Sequence, residues 1–183
     1  MTKLKLLHSY WSIKKKSNVF PSRQDIDPLD FPYVLGDVSL IDVIENGTHD
    51  DTQFKVRLLG SNIQTRVGSA LVHRDIEDFP EQDSLNRMKI AYQNVLKTKE
   101  PVAYPSFFKI GEENGAFVCC IWPLSSDGET IDMLLCCRER IAEEQLIPDR
   151  SGLINQHPTW PYQDWSENQL LKQLIPTSLN IGS

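Results

Sequence analysis

The sequence predicts an α+β domain in which five antiparallel strands carry helices between the second and the third strand. Short β-branched or alternating apolar runs, separated by turn residues, are typical of strands. A stretch between these runs has apolar residues at helical spacing, and a second such stretch precedes the first strand. The element order is therefore helix, loop, two strands, several short helices, one long helix and three strands.

The first predicted element is an amphipathic helix over residues 3–16, with an apolar stripe formed by Leu4, Leu7 and Trp11. A Pro-rich loop follows it, as far as residue 33. An isolated helix of this length is marginal in water, so the stripe must pack on another surface. We expect these three side chains to form the interface of a homodimer.

The charge of the chain is unevenly distributed. The net charge is −6 with a pI of about 5.2, which argues against a dedicated nucleic-acid-binding protein. Residues 1–24 contain six basic and no acidic residues, or +6, which leaves 13 basic and 25 acidic residues, or −12, for the remainder. A solvated helix face explains this most simply. Docking of the segment on an acidic surface, in its own chain or in a second copy, is the alternative.

Localisation follows from two further features of the sequence. No apolar run reaches the 18 or so residues of a membrane span. The N-terminus, with charges spread through residues 1–16, has no apolar core of signal-peptide length. The expectation is a cytoplasmic protein.

Two neighbouring antiparallel strands are predicted at residues 38–46 and 54–60, with Asn46-Gly47 as the turn signal after the first. A short helix then begins near Asn62 and ends at Gly68.

The clearest helix begins at the cap candidates Asp83 and Ser84 and is ended by Pro101. Three strands follow at 102–110, 116–124 and 131–141, joined by turns over Gly111–Gly115 and residues 125–128. Pro105 lies inside the first of these three strands, which places it at a sheet edge or a bulge. The chain thus divides into a helix and loop (1–33), the main domain (34–141) and an irregular tail (142–183), where Ser166 and Gln169 form a capping box for one short helix.

Several segments resemble a short bacterial branch of the PAS-domain family. They are Tyr10-Trp11 in the first helix, the Pro21–Pro28 segment (Pro-Ser-Arg-Gln-Asp-Ile-Asp-Pro), the strand Phe54–Gly60, and Val67-Gly68 followed by Arg74. The resemblance implies a five-stranded antiparallel sheet that cups helices around a cavity. It also implies a sensory or regulatory role, because many PAS domains bind haem, flavin or a metabolite, while others bind nothing and dimerise. The cofactor is left unknown.

The resemblance and the alternating pattern together place a ligand cavity between the long helix and the central strands. Arg57, which interrupts an apolar strand, either forms a salt bridge with Asp42 or binds the carboxylate of a ligand. The remaining cavity candidates are apolar or aromatic residues of the helix and strands, namely Leu85, Met88, Tyr92, Val95, Phe107, Val118, Ile121 and Leu134.

Neither flavin-adduct chemistry nor haem ligation is supported by the crossover, the helical segment between the second and third strands. Residues 61–100 contain no cysteine for a flavin adduct. His73 is the only histidine there, and a surface or capping role is the simpler interpretation of a lone histidine.

The four cysteines form two pairs, Cys119-Cys120 and Cys136-Cys137, on adjacent predicted strands. A register in which partner numbers sum to 255 or 256 sets the pairs opposite each other, with one sulfur of each pair inside and one outside. Alternating faces exclude a four-cysteine zinc site. Small buried apolar residues are the simpler interpretation, and a redox-sensing pair is the alternative.

The preferred function is sensing by binding, without catalysis, because the sequence contains none of the common catalytic motifs. A ligand-free dimerisation module is the second possibility. A small cone-shaped α+β isomerase is the third, and it would need a buried acid beside Tyr92 or Tyr104. No output domain follows, so the expected partners are a second copy of the chain and an unidentified output protein.

Overall fold

In a computed structural model of the chain, the structure describes residues 3–45, 51–79, 82–110, 113–141 and 160–161. Its elements, in chain order, are α1 (Lys3–Lys14), β1 (Val38–Ile44), β2 (Gln53–Leu59), α2 (Ser61–Val67), α3 (Gln82–Thr98), β3 (Val102–Ile110), β4 (Glu113–Leu124), β5 (Met133–Ile141) and β6 (Trp160–Pro161). Short 3₁₀ turns fill much of the connections from α1 to β1 and from α2 to α3.

The strands form one antiparallel sheet in the order β2-β1-β5-β4-β3-β6. The predicted α+β fold with five principal strands is confirmed, and β6 adds a two-residue sixth strand in the described part of the chain. β6 pairs only with Val102 and Ala103 of β3. Pro105 follows that pairing on the outer edge of β3, where its missing N–H interrupts no ladder.

Helix α1 covers one face of the sheet, which we call the outer face. Leu4, Leu7 and Trp11 are buried in the same core cluster as β4 and β5. The indole N–H of Trp11 donates to the carbonyl oxygen of Pro123 at 2.9 Å, and this bond is buried. Burial of such side chains contributes roughly 1.5–3 kcal/mol each, so the stripe is a large part of what holds the helix.

The prediction that Leu4, Leu7 and Trp11 form the interface of a homodimer is therefore wrong. Leu4 and Leu7 are 0% exposed and Trp11 is 3% exposed within a single chain, which leaves no surface there for a second copy. The outer face of the sheet is apolar, and docking a helix of the same chain avoids the entropy lost when two molecules associate. A homodimer stays a prediction and would need another surface.

The loop after α1 is organised by hydrogen bonds of its polar side chains. Ser22 and Asp25 form a reciprocal capping box around a 3₁₀ turn. Asp27 caps the next turn through the N–H of Leu29 at 2.9 Å. The hydroxyl of Tyr10 accepts from the N–H of Asp27 at 2.8 Å, which attaches the loop to α1. The aspartates thus act as turn caps, and no cluster of three potential metal ligands occurs among the described residues.

Basic residues of the N-terminal segment pair with acids directly after it in the sequence. Lys14 lies 3.2 Å from Asp30, and Lys16 lies 2.8 Å from Asp25. These exposed pairs are worth little individually, but they balance part of the local positive charge.

Several sequence predictions fall on residues outside the described ranges. They are the Asn46-Gly47 turn and the short helix near Ser166. β4 begins at Glu113, so the predicted turn over Gly111–Gly115 is shorter than expected. Within the described ranges, no helix is both long and apolar enough to cross a bilayer.

Gly60, between β2 and α2, packs directly against the backbone that leads into β1. A Cβ atom added there would lie 2.3 Å from the carbonyl oxygen of Leu35 and 2.5 Å from that of Gly36. We therefore expect Gly60→Ala to lower the free energy of unfolding by about 1–3 kcal/mol, as overpacking usually does. Urea denaturation measures this, with the neighbouring exposed Ser61→Ala as control. Equal stability of the two variants would contradict the close approach.

His8 of α1 gives the docked helix a dependence on pH. The indole N–H of Trp122 donates to Nδ1 of His8 at 3.0 Å, which requires that Nδ1 carry no proton. Burial, and secondly the charge of Lys15, lower the pKa of His8 below its usual 6.5. The unfolded chain therefore takes up this proton at a higher pH than the folded protein. His8 should leave stability unchanged above about pH 6.5 and reduce it as the pH falls below that value.

The measurement compares wild type with His8→Asn, which keeps an acceptor but does not titrate. We expect the stability difference between the two proteins to shift against the wild type as the pH falls from 7.5 to 5. Comparison at each pH removes the contribution of Glu139, since burial raises the pKa of that carboxyl and makes its effect opposite in sign. Parallel pH profiles of the two proteins would show that His8 does not titrate in the folded state.

Candidate functional site

The inner face of the sheet and the helices α2 and α3 border a partly open cavity of about 110 Å³. Most of its lining is apolar or aromatic, with a few hydroxyls and thiols and one pair of opposite charges. The lining residues are Asp37, Ser39, Ile41, Val56, Leu59, Ile63, Val67, Leu71, Ile76, Phe79, Ser84, Met88, Tyr92, Tyr104, Ser106, Phe117, Cys119, Cys136, Cys137 and Arg138.

Two of the predicted cavity residues, Met88 and Tyr92, line this space. Both lie on α3, four and eight residues after Ser84, so the cavity lies under the first three turns of this helix. Four other candidates are buried in the core but do not border the cavity, because the elements around them pack without a gap: Leu85, Val95, Ile121 and Leu134.

Two candidates are corrected by the structure, and a third is not tested. Val118 lies next to the cavity-lining Cys119 in β4, so its side chain points to the outer face, where α1 packs. Arg57 is largely exposed and its Nη1 lies 2.9 Å from Oδ1 of Asp42, so the salt bridge is found and the role in the cavity is not. The side chain of Phe107 lies outside the described part of the structure.

The polar groups that line the cavity include two tyrosine–cysteine pairs. The thiol of Cys136 donates to the hydroxyl of Tyr92, with 3.9 Å between sulfur and oxygen. Tyr104 and Cys119 form a second such bond. Burial, followed by the neighbouring thiols, raises the pKa of both tyrosines well above 10. The interior therefore offers neutral hydrogen-bonding groups to a ligand.

The cysteine pairs lie in a register different from the predicted one. Cys120 is the direct partner of Cys137, so partner numbers sum to 257, and Cys119 and Cys136 are diagonal neighbours across the same strands. Cys119, Cys136 and Cys137 border the cavity, whereas Cys120 does not. Burial raises the pKa of all four thiols, which makes them poor nucleophiles.

The cavity as built does not fit the haem or flavin cofactors that the sequence resemblance suggested. Its volume of about 110 Å³ is below the roughly 300–1,000 Å³ of common ligand sites. His73 is exposed in a turn with a positive φ of 68°, so it cannot serve as an axial haem ligand in the cavity. Cys119 and Cys136, which face the interior, lie on strands of the sheet. A cysteine that forms a flavin adduct in PAS domains would lie on the crossover helices instead.

The charged pair at the rim of the cavity was not predicted from the sequence. Nε of Arg138 lies 3.7 Å from Oδ1 of Asp37, and Nη2 of Arg138 donates to the carbonyl oxygen of Asn62 at 2.9 Å. Asp37 ends the 3₁₀ turn before β1, and Arg138 lies near the end of β5. The sequence contained a signal for this pair. Arg138 follows Cys136 by two residues in the same strand, so both lie on the cavity side of the sheet.

The chain belongs to the PAS-domain family, since the sequence pattern of that family matches residues 1–135. The match includes α1, which agrees with the packing of that helix into the core. No curated protein sequence matches the chain significantly.

Several solved structures are similar to the chain in fold. The PAS domain of histidine kinase ThkA has 16% identity and a TM-score of 0.38, with 56% of this chain and 98% of that one covered. A light-oxygen-voltage domain has 12% identity and a TM-score of 0.41, with coverage of 66% and 86%. The LOV protein of Rhodobacter sphaeroides has 13% identity and a TM-score of 0.39, with coverage of 70% and 72%.

The four thiols, three of them buried and that of Cys119 partly buried, should react slowly in the folded protein. Burial raises the pKa of Cys119 from 9.0 to about 11, which lowers its thiolate fraction at pH 8 about 100-fold. We expect a thiol-specific disulfide reagent to label none of the four cysteines within minutes, and to label all of them in denaturant. Rapid labelling of Cys119 in the native protein would show that the cavity opens to solvent.

Proposed function

We propose that this protein is a sensory PAS domain that binds a small, largely apolar molecule in the cavity and transmits its presence to a partner protein. The largely apolar cavity between the sheet and the helices is the observation that supports this function. Its volume of about 110 Å³ sets the size of the ligand, and the neutral hydroxyls and thiols of its wall suit one with one or two hydrogen-bonding groups.

The cavity is placed where its occupancy can affect the protein surface. Its wall includes Ile63 and Val67 of α2 and Met88 of α3, and both helices have exposed faces. A ligand that favours one position of these helices would shift their distribution, which a partner protein could read. No transfer of a proton or group is needed for such a function.

A ligand-free interaction module is the second candidate, and the small cavity volume favours it. An isomerase receives little support, because Asp37 is the only carboxylate among the described lining residues, and it already binds Arg138.

Filling the cavity tests the proposal. Met88→Trp should occupy the space, whereas Ile90→Trp places the same side chain on an exposed part of the same helix, where Ile90 is 42% exposed. Xenon, which enters dry apolar cavities, is the first probe. It should perturb the NMR signals of cavity methyl groups in wild type and in Ile90→Trp, and have no such effect in Met88→Trp.

The natural ligand is then sought by mass spectrometry of small molecules released from the native protein. A compound present at 100 times its dissociation constant should add about 2.7 kcal/mol to the free energy of unfolding. That stabilisation should disappear in Met88→Trp and remain in Ile90→Trp. Binding that survives in Met88→Trp would place the site elsewhere. A wild type that takes up neither xenon nor any released compound would favour the interaction module.

A further inference from the structure

A second concave site lies beside the cavity and has the opposite chemical character. This cleft, of about 350 Å³, is polar and lies where the first turn of α1 and the helix α2 approach the ends of β4 and β5. Its lining residues are Lys3, Asp37, Asn62, Thr65, Arg66, Phe117, Arg138, Glu139 and Arg140. Its volume is in the range of small-molecule sites.

Two arginines of the cleft pack on one aromatic ring. The guanidinium carbon of Arg66 lies 4.8 Å from the ring centre of Phe117, and that of Arg138 lies 4.6 Å from the same centre. The two cations repel each other, since the charge of Arg66 contributes to a lowered pKa of Arg138, after burial. An anion bound beside them would relieve this repulsion.

The carboxylates of the cleft make hydrogen bonds within the protein, although the buried Oε2 of Glu139 has no hydrogen-bond partner among the described residues. Asp37 accepts from Nδ2 of Asn62 at 3.1 Å and pairs with Arg138 only at 3.7 Å. Glu139 accepts hydrogen bonds from the backbone N–H groups of Lys3 and Leu4 at the start of α1. Among the described lining residues four are basic and two are acidic, in a chain whose net charge is −6.

Arg138 also has unused hydrogen-bonding capacity at this place. Its buried Nε has no hydrogen-bond acceptor among the residues that the structure describes. A buried donor without an acceptor is costly, so such a group commonly marks a missing partner. The guanidinium fork suits two oxygen atoms of one carboxylate or phosphate group.

We propose that this cleft binds a small oxyanion, namely the phosphate or dicarboxylate group of a metabolite, through Arg138 and Arg66. The proposal does not require a ligand in the cavity, although Arg138 borders both spaces. Electrostatic attraction supplies the affinity, and the fork geometry selects oxyanions over chloride.

The test is an NMR titration at constant ionic strength with inorganic phosphate, succinate and sodium chloride in separate arms. The side-chain Nε–H signal of Arg138 and the backbone signals of Asn62 and Thr65 should shift saturably with phosphate or succinate, and not with chloride. The arm with the lower dissociation constant identifies the phosphate or the dicarboxylate class.

Three variants locate the site. Arg138→Gln and Arg66→Gln should each weaken binding about ten- to a hundredfold, as expected for the loss of charged hydrogen bonds. Arg57→Gln, which changes an arginine outside the cleft, should bind like wild type. If Arg138→Gln does not fold, Arg66→Gln and the exposed Arg140→Gln decide the question in its place. Non-saturating shifts, or equal binding by all folded variants, would overturn the proposal.

Discussion

The sheet of this protein is apolar on both faces, so each face needs a cover. Leu135 and Trp122 on the outer face and Leu134 and Ile121 on the inner face are all almost fully buried. Helix α1 covers the outer face, and α2 and α3 cover the inner one. The cavity lies on the inner face, between the sheet and the helices α2 and α3.

The docking of α1 also explains the motif that relates the sequence to PAS proteins. Trp11 binds the carbonyl oxygen of Pro123 in β4, and the neighbouring Tyr10 binds the backbone of Asp27 in the loop. The loop then joins the sheet where the N–H of Ser125 donates to the carbonyl oxygen of Pro21 at 3.0 Å. The Tyr-Trp pair and the Pro-Ser-Arg segment are therefore parts of one attachment, whose role in the structure is to hold the outer cover.

The elements could be predicted from the sequence, but the two faces of the central strands could not. Helix α3 has a polar side, so its buried residues stand out, and Met88 and Tyr92 were placed correctly. In β4, Val118, Cys119 and Cys120 are buried or partly buried in succession, so hydrophobicity does not indicate which of them faces the cavity. A shift of one residue exchanges the faces, which is why Val118 was misplaced. The same uncertainty of register affected the cysteine pairs.

The cavity and the cleft share Asp37, Phe117 and Arg138. Arg138 is the link between them, because it contacts Asp37 and Asn62 near the start of β1 and α2 while it packs on Phe117 of β4. A ligand that moves this side chain in one space changes the wall of the other. By linkage, any such effect on affinity must be reciprocal. Arg138 thus joins the apolar interior to the charged cleft. Burial of the two sheet faces would be possible without such a connection.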